Sequence, residues 1–126
     1  MARMSDTVLV LCDDLLFWSK IQGAAKAAGI TVMRTRDGAV PPGVRRVLVD
    51  LQAGSLDPYA CALAWKSAPH CPQLIAFASH VDVDAQARAR EAGFDRVLSR
   101  SVFVRELPAL LRLHPGDPGP PASSPA

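Results

Sequence analysis

A chain of 126 residues, 49% of them hydrophobic, is sized for one folded domain and cannot be disordered throughout. Fourteen basic and twelve acidic groups leave a formal charge of +2, which gives no electrostatic footprint for nucleic acid or a membrane surface. No apolar run reaches the ~18–20 residues of a membrane span, and Met1–Thr7 lacks the pattern of a signal peptide. Cys12, Cys61 and Cys71 are odd in number and contain no CxxC, so they read as reduced thiols of a cytoplasmic protein.

Short apolar runs alternate with longer helical patterns, the signature of a parallel sheet with crossover helices. The predicted strands fall at residues 7–11, 30–34, 46–50, 74–78 and 96–99. VLVL, VLV and LIAF within them are nearly continuous apolar stretches, as strands buried on both faces require. The predicted helices cover residues 14–28, 57–66, 82–92 and 104–113. The first carries an inward stripe of Phe17, Ile21, Ala24, Ala25 and Ala28 and stops at Gly29. The third turns Val81, Ala85, Ala89 and Ala92 inward, with Asp82 or Asp84 as N-cap and Gly93 as its stop. Pro108 is placed in the first turn of the last helix, where a missing N–H costs little.

Only RDGAVPPGVR separates the second and third strands. A right-handed crossover normally takes about a dozen residues, so the second crossover helix is expected to be short or absent. From His114 onward, GDPGPPASSPA has nothing to bury and reads as a disordered Pro/Ser/Gly tail. The expected organisation is a domain over residues 1–113 and a tail over 114–126.

Ligands of open parallel sheets bind at the C-terminal ends of the strands. The first strand runs into Cys12, Asp13 and Asp14, the third ends in Asp50, the fourth runs into Ser79 and His80, and the fifth into Arg100 and Ser101. Carboxylates from adjacent strands repel one another and so favour a hard divalent cation such as Mg²⁺. The plainer alternative is that Asp13 or Asp14 caps the first helix while Asp50 merely ends a strand.

VLVLCDD, VLVDLQAGSLD, EAGFDRVLSRS and the spacing among them resemble the receiver domains of two-component response regulators, over roughly Thr7 to Leu113. The resemblance implies an α/β, flavodoxin-like (βα)5 three-layer sandwich with parallel strand order 2-1-3-4-5. It implies that Asp50 is the phosphoacceptor and Arg100 the phosphoryl contact, where receivers carry lysine. It puts the acidic pair of the family on Cys12 and Asp13, and makes Asp13, Asp14, Asp50 and the Gln52 carbonyl the candidate Mg²⁺ ligands. Cys12 weakens that set, because a soft thiol of pKa about 8.5 replaces a hard carboxylate. Gly54 stands where proline is usual, and Pro58 where glycine is usual. The family's switch hydroxyl falls on Ala78, with Ser79 one place late as the candidate substitute, and its switch aromatic falls on Val97. Gln52 and His80 stand at positions that tune phosphate loss in receivers.

The expected function is a stand-alone, non-enzymatic signalling module in a phosphorelay, meeting a histidine kinase, a phosphotransfer protein or another signalling protein. The alternative is a pseudo-receiver that acts by protein docking without phosphorylation. A flavodoxin-like cofactor or nucleotide binder is a more distant alternative, because CDDLLFW puts negative charge where a phosphate would sit. Leu15, Leu16 and Trp18 add apolar surface to the first helix, either packed beneath the short crossover or free for docking. Arg88, Arg90, Arg96 and Arg105 read as either an output face or solvated surface. Cys12 as a redox sensor and His80 as a phosphate contact are weighed against an inert thiol and a surface histidine.

Overall fold

The apolar runs form strands that are buried on both faces, and this dictates the layers. In the computed structural model, which describes residues 7–69 and 71–112, the elements follow in chain order. They are β1 (Thr7–Leu11), α1 (Leu15–Ala28), β2 (Thr31–Arg34), β3 (Arg46–Asp50), α2 (Pro58–Lys66), β4 (Gln73–Ala78), α3 (Val83–Ala92), β5 (Arg96–Ser99) and α4 (Arg100–Leu111). All strand pairs are parallel, in the order β2-β1-β3-β4-β5 expected from the sequence. Every residue of β1 and β3 is buried, while the edge strand β2 alternates exposed and half-buried positions. His70, Leu113 and the expected tail from His114 lie outside the described residues.

The sheet separates two cores. On one face α1 and α4 pack Phe17, Ile21, Phe103 and Leu107 against Val8, Val10, Leu48, Ile75 and Phe77. On the other, α2 and α3 set Ala62, Trp65, Ala85 and Ala89 against Leu9, Val47, Val49 and Ala76. The caps expected at Asp14, Asp82, Gly29 and Gly93 are present, and Asp57 adds one that was not singled out. Asp14 accepts from the N–H groups of Leu16 and Phe17, Asp57 from those of Tyr59 and Ala60, and Asp82 from that of Ala85. Gly29 and Gly93 close α1 and α3 in the left-handed region.

Four local expectations are corrected. Ile30 is not the start of β2, because its N–H closes the end of α1 on the Ala25 carbonyl at 2.9 Å. Val81 is 72% exposed, since α3 begins at Val83 and leaves Val81 in the preceding turn. Ala28, on the last turn of α1, is exposed too. The last helix starts at Arg100, four residues before the expected Val104, because the Ser99 hydroxyl caps it at once by accepting from the Val102 N–H.

Pro108 therefore lies inside α4, not in its first turn. It deprives the Val104 carbonyl of its helical donor on the solvent side of the helix. The end of α4 is held from the sheet: the buried Arg46 guanidinium at the start of β3 donates to the Leu110 carbonyl and, at 3.5 Å, to that of Arg112.

No helix joins β2 to β3, so the second crossover helix is absent and residues 35–45 make the crossover as a loop. Side chains close it. The Thr35 hydroxyl accepts from the Gly38 N–H at 3.0 Å, Asp37 accepts from the Ala39 N–H at 2.9 Å, and Trp65 Nε1 donates to the Gly38 carbonyl at 2.8 Å. Gly38 adopts φ of 80°, so the backbone calls for glycine there. Leu15 and Leu16 do not pack beneath this loop. They lie on the α1 side, 69% and 81% exposed.

Candidate functional site at the C-terminal edge

Register assembles the edge. Leu11 pairs with Val49, so Cys12 emerges beside Asp50, and Asp13 projects one residue further toward the loop after β3. Asp50 is only 2% exposed. Its Oδ1 accepts from the Gln52 N–H at 2.9 Å, and Arg100 Nη2 lies 3.4 Å from both carboxylate oxygens. The same Nη2 donates to Gln52 Oε1 at 3.1 Å, so Gln52 links the guanidinium and the carboxylate. Beneath the guanidinium lies the Phe17 ring, 5.5 Å away, which favours a cation there.

Cys12 is buried, with Sγ 3.8 Å from Asp50 Oδ2 and 3.6 Å from the Asp14 carbonyl. Burial pushes its thiol up to about 11, with the neighbouring charges of Asp50 and Asp14 adding to the rise. The result is a protonated, inert thiol. The redox reading needs an accessible thiolate, and this one is neither.

Asp13 turns toward the loop after β3. Its Oδ2 accepts from the N–H groups of Gly54 and Ser55, both at 2.8 Å, its Oδ1 accepts from the Ser55 hydroxyl at 2.9 Å, and Arg34 Nη2 stands 4.0 Å away. Desolvation pushes its pKa up, but the bonds from Ser55 and Gly54 and the charge of Arg34 outweigh it and hold the carboxyl below its usual range. Gly54 can donate because it is not the proline usual at this place in receivers. Sequence reasoning did not find Ser55 or Arg34 as partners of Asp13, and it noted Gly54 only as a departure from proline.

The other predicted residues are less central. Asp14 Oδ1 is the N-cap of α1 and takes two of the N–H groups that a nucleotide phosphate would need. Ser79 accepts weakly from the Val81 N–H at 3.4 Å within its own turn, and among the described residues no hydrogen bond joins it to Asp50. Ala78 is fully buried, Val97 packs on the α2–α3 core, and His80 is exposed. Arg96 is not on an output face: it is buried and paired with Glu106 at 3.2 Å, while Arg88 stacks over the Tyr59 ring at 4.0 Å.

The fit of a divalent cation can be tested on these donors. Mg²⁺ asks for an octahedron of hard oxygens. Here Cys12 offers a thiol where a carboxylate is wanted, Asp13 accepts three bonds from the 54–55 loop, Asp14 caps a helix and Arg100 stands on Asp50. No three His, Cys, Asp or Glu groups among the described residues come together as a metal cluster. The residues present do not fit the ion.

Comparison with solved structures decides the fold. A response regulator receiver domain protein from Clostridium thermocellum superposes with a TM-score of 0.68, at 18% identity, over 83% of this chain and 90% of its own. A protein described as a response regulator, from Chloroflexus aurantiacus, gives 0.68 at 20% identity, over 80% and 89% of the two chains. The manganese-bound response regulator Rcp1 gives 0.64 at 14% identity, over 82% and 90%. This chain has the receiver-domain fold. No family model matches the sequence, and no curated protein matches it. At these identities the likeness to receivers is one of architecture, and what the site does is argued from its own residues. Among the described residues, no helix is long and apolar enough to cross a membrane.

Proposed function

We propose that this receiver fold is a signalling module that acts by binding another signalling protein, with Asp50 serving as a structural anion. The observation that supports this most is the enclosure of Asp50: it is 2% exposed, both of its oxygens face Arg100, and a buried thiol closes the remaining side. A nucleophilic carboxylate needs a free oxygen and an approach path for the donor. Ala78 and Val97 further deprive the fold of a hydroxyl and an aromatic ring to relay a phosphoryl group.

The contact surface is the groove of about 380 Å³ between the start of α1 and α4, lined by Leu16, Phe17, Lys20, Arg100, Ser101 and Val104 with Asp14 at its rim. Leu16, which lines it, and its chain neighbour Leu15 are both largely exposed, and solvated leucines at the start of one helix mark a docking surface more than a scaffold. The partner is a histidine kinase, a phosphotransfer protein or another signalling protein.

A second reading keeps Asp50 as a phosphoacceptor, and what favours it is a permanent cation, Arg100, beside it where it could meet a phosphoryl oxygen. In that reaction an Asp50 oxygen attacks the phosphorus of a phosphohistidine, the P–N bond breaks, and its electron pair leaves on the imidazole. Intact-mass measurement after incubation with a small-molecule phosphodonor and Mg²⁺ separates the two. The docking reading expects no mass gain. A gain of one phosphoryl group that disappears in Asp50→Ala establishes the phosphoacceptor instead.

A further inference from the structure

Two carboxylates at this edge carry a cation from the chain itself: Arg34 stands by Asp13 and Arg100 by Asp50, while Asp14 is engaged as the N-cap of α1 and Cys12 adds no carboxylate. Arg100 Nη2 is within 3.4 Å of three oxygens from two side chains, Asp50 Oδ1, Asp50 Oδ2 and Gln52 Oε1. One positive centre gathering several oxygens is the arrangement a bound cation would make. The guanidinium holds it at the expense of its own Nε, which is buried without a hydrogen-bond partner, and rests over the Phe17 ring.

We infer that the Arg100 guanidinium takes the place of the divalent cation in this fold, so the site is complete without Mg²⁺ and excludes it. Seating an ion on Asp13 Oδ2 would compete with the Gly54 and Ser55 N–H groups, and any ion there would set a dication beside two guanidinium groups. A guanidinium is permanently charged and carries a fixed fork of donors, so it can serve as a built-in counter-ion where an ammonium would move more freely. The inference concerns the ion alone and holds for either role of Asp50.

The test uses the full chain with MgCl2 and MnCl2 as probes. Wild type is expected to melt at the same temperature in EDTA and in millimolar Mg²⁺, and substoichiometric Mn²⁺ should leave the amide signals of Cys12, Gln52 and Ser55 unbroadened. The double variant Cys12→Asp, Arg100→Met supplies the missing carboxylate and removes the guanidinium. It should bind Mg²⁺ at least tenfold more tightly than wild type, with a Mg²⁺-dependent rise in melting temperature and selective Mn²⁺ broadening around Asp50. If the double variant does not fold, Arg100→Gln is measured in its place and is expected to show a smaller gain of the same sign. Mg²⁺ stabilisation or local Mn²⁺ broadening in wild type overturns the inference. So does a folded variant that remains as indifferent to both ions as wild type, since Arg100 would then not be what excludes them. Neither readout depends on phosphoryl uptake, so it can fail without the docking reading failing.

Discussion

The two faces of the sheet are closed by different physics. On the α1–α4 face, large side chains interlock: Phe77 stacks on Phe103 with centroids 4.0 Å apart, and Phe17 meets both edge-on at 4.8 and 5.5 Å. On the α2–α3 face the inward residues of α3 are alanines, and the missing crossover helix is replaced by a loop that needs hydrogen bonds to stay down. One face should be sensitive to lost volume and the other to lost donors.

The largest effect is expected from Phe103→Ala. Phe103 is fully buried between two rings, so its removal leaves a cavity and should cost about 3–5 kcal/mol. Urea denaturation read by circular dichroism measures it. A loss near 1 kcal/mol would mean that the aromatic cluster collapses freely, and the contrast between the faces would fail.

The packed face reaches up to Cys12, and pH probes it there. The thiol pKa is raised to about 11 in the folded chain, against about 8.5–9 unfolded. A raised pKa means that this contribution is fully present below the unfolded value and declines as pH rises through the folded one. Between about pH 9 and 11 the unfolded chain loses the proton that the folded chain retains, so stability falls, by about 2–3 kcal/mol in all. Cys61 is also raised and adds to the alkaline loss, so the measurement is a difference. Chemical denaturation of Cys12→Ala should show a shallower decline than wild type over that window. Equal slopes would mean that water reaches the thiol.

The strands and the positions of α1, α2 and α3 were legible because doubly buried strands leave apolar runs and each of these helices begins on an aspartate, whereas the strand order came from the resemblance to receivers. Asp50 and Arg100 were legible as strand-end residues of an open parallel sheet, and the structure brings them together. The direction of Asp13 was not legible. An aspartate after a strand can face an ion or a loop, and the choice depends on backbone N–H groups at Gly54 and Ser55, which carry no side-chain signature at that distance in sequence. The start of α4 was missed for a related reason. Pro108 is a strong local signal, and it outweighed the Ser99 cap although tertiary support from Arg46 lets the helix keep a proline.

The smallest predicted effect is also the most specific to the loop-closed face. Trp65→Phe retains most of the aromatic surface but deletes Nε1–H, the donor that ties the Gly38 carbonyl to α2. A neutral hydrogen bond contributes about 0.5–1.5 kcal/mol net, and the Gly38 carbonyl can turn to water, so the global cost should stay near 1 kcal/mol. The local consequence should be larger than the global one. Residues 35–44 have no helix of their own; the bonds through Thr35 and Asp37 are short-range, and the packing of Val40 and Val44 on the α2–α3 core does not fix the Gly38 peptide itself. Amide hydrogen exchange should therefore quicken at Gly38 and Ala39 while Val47–Val49 in β3 keep their protection. Phe103→Ala should do the opposite and lower protection across the whole sheet. If Trp65→Phe instead lowers protection in β3 as much as in the loop, the loop is part of the core and the two faces do not differ in kind.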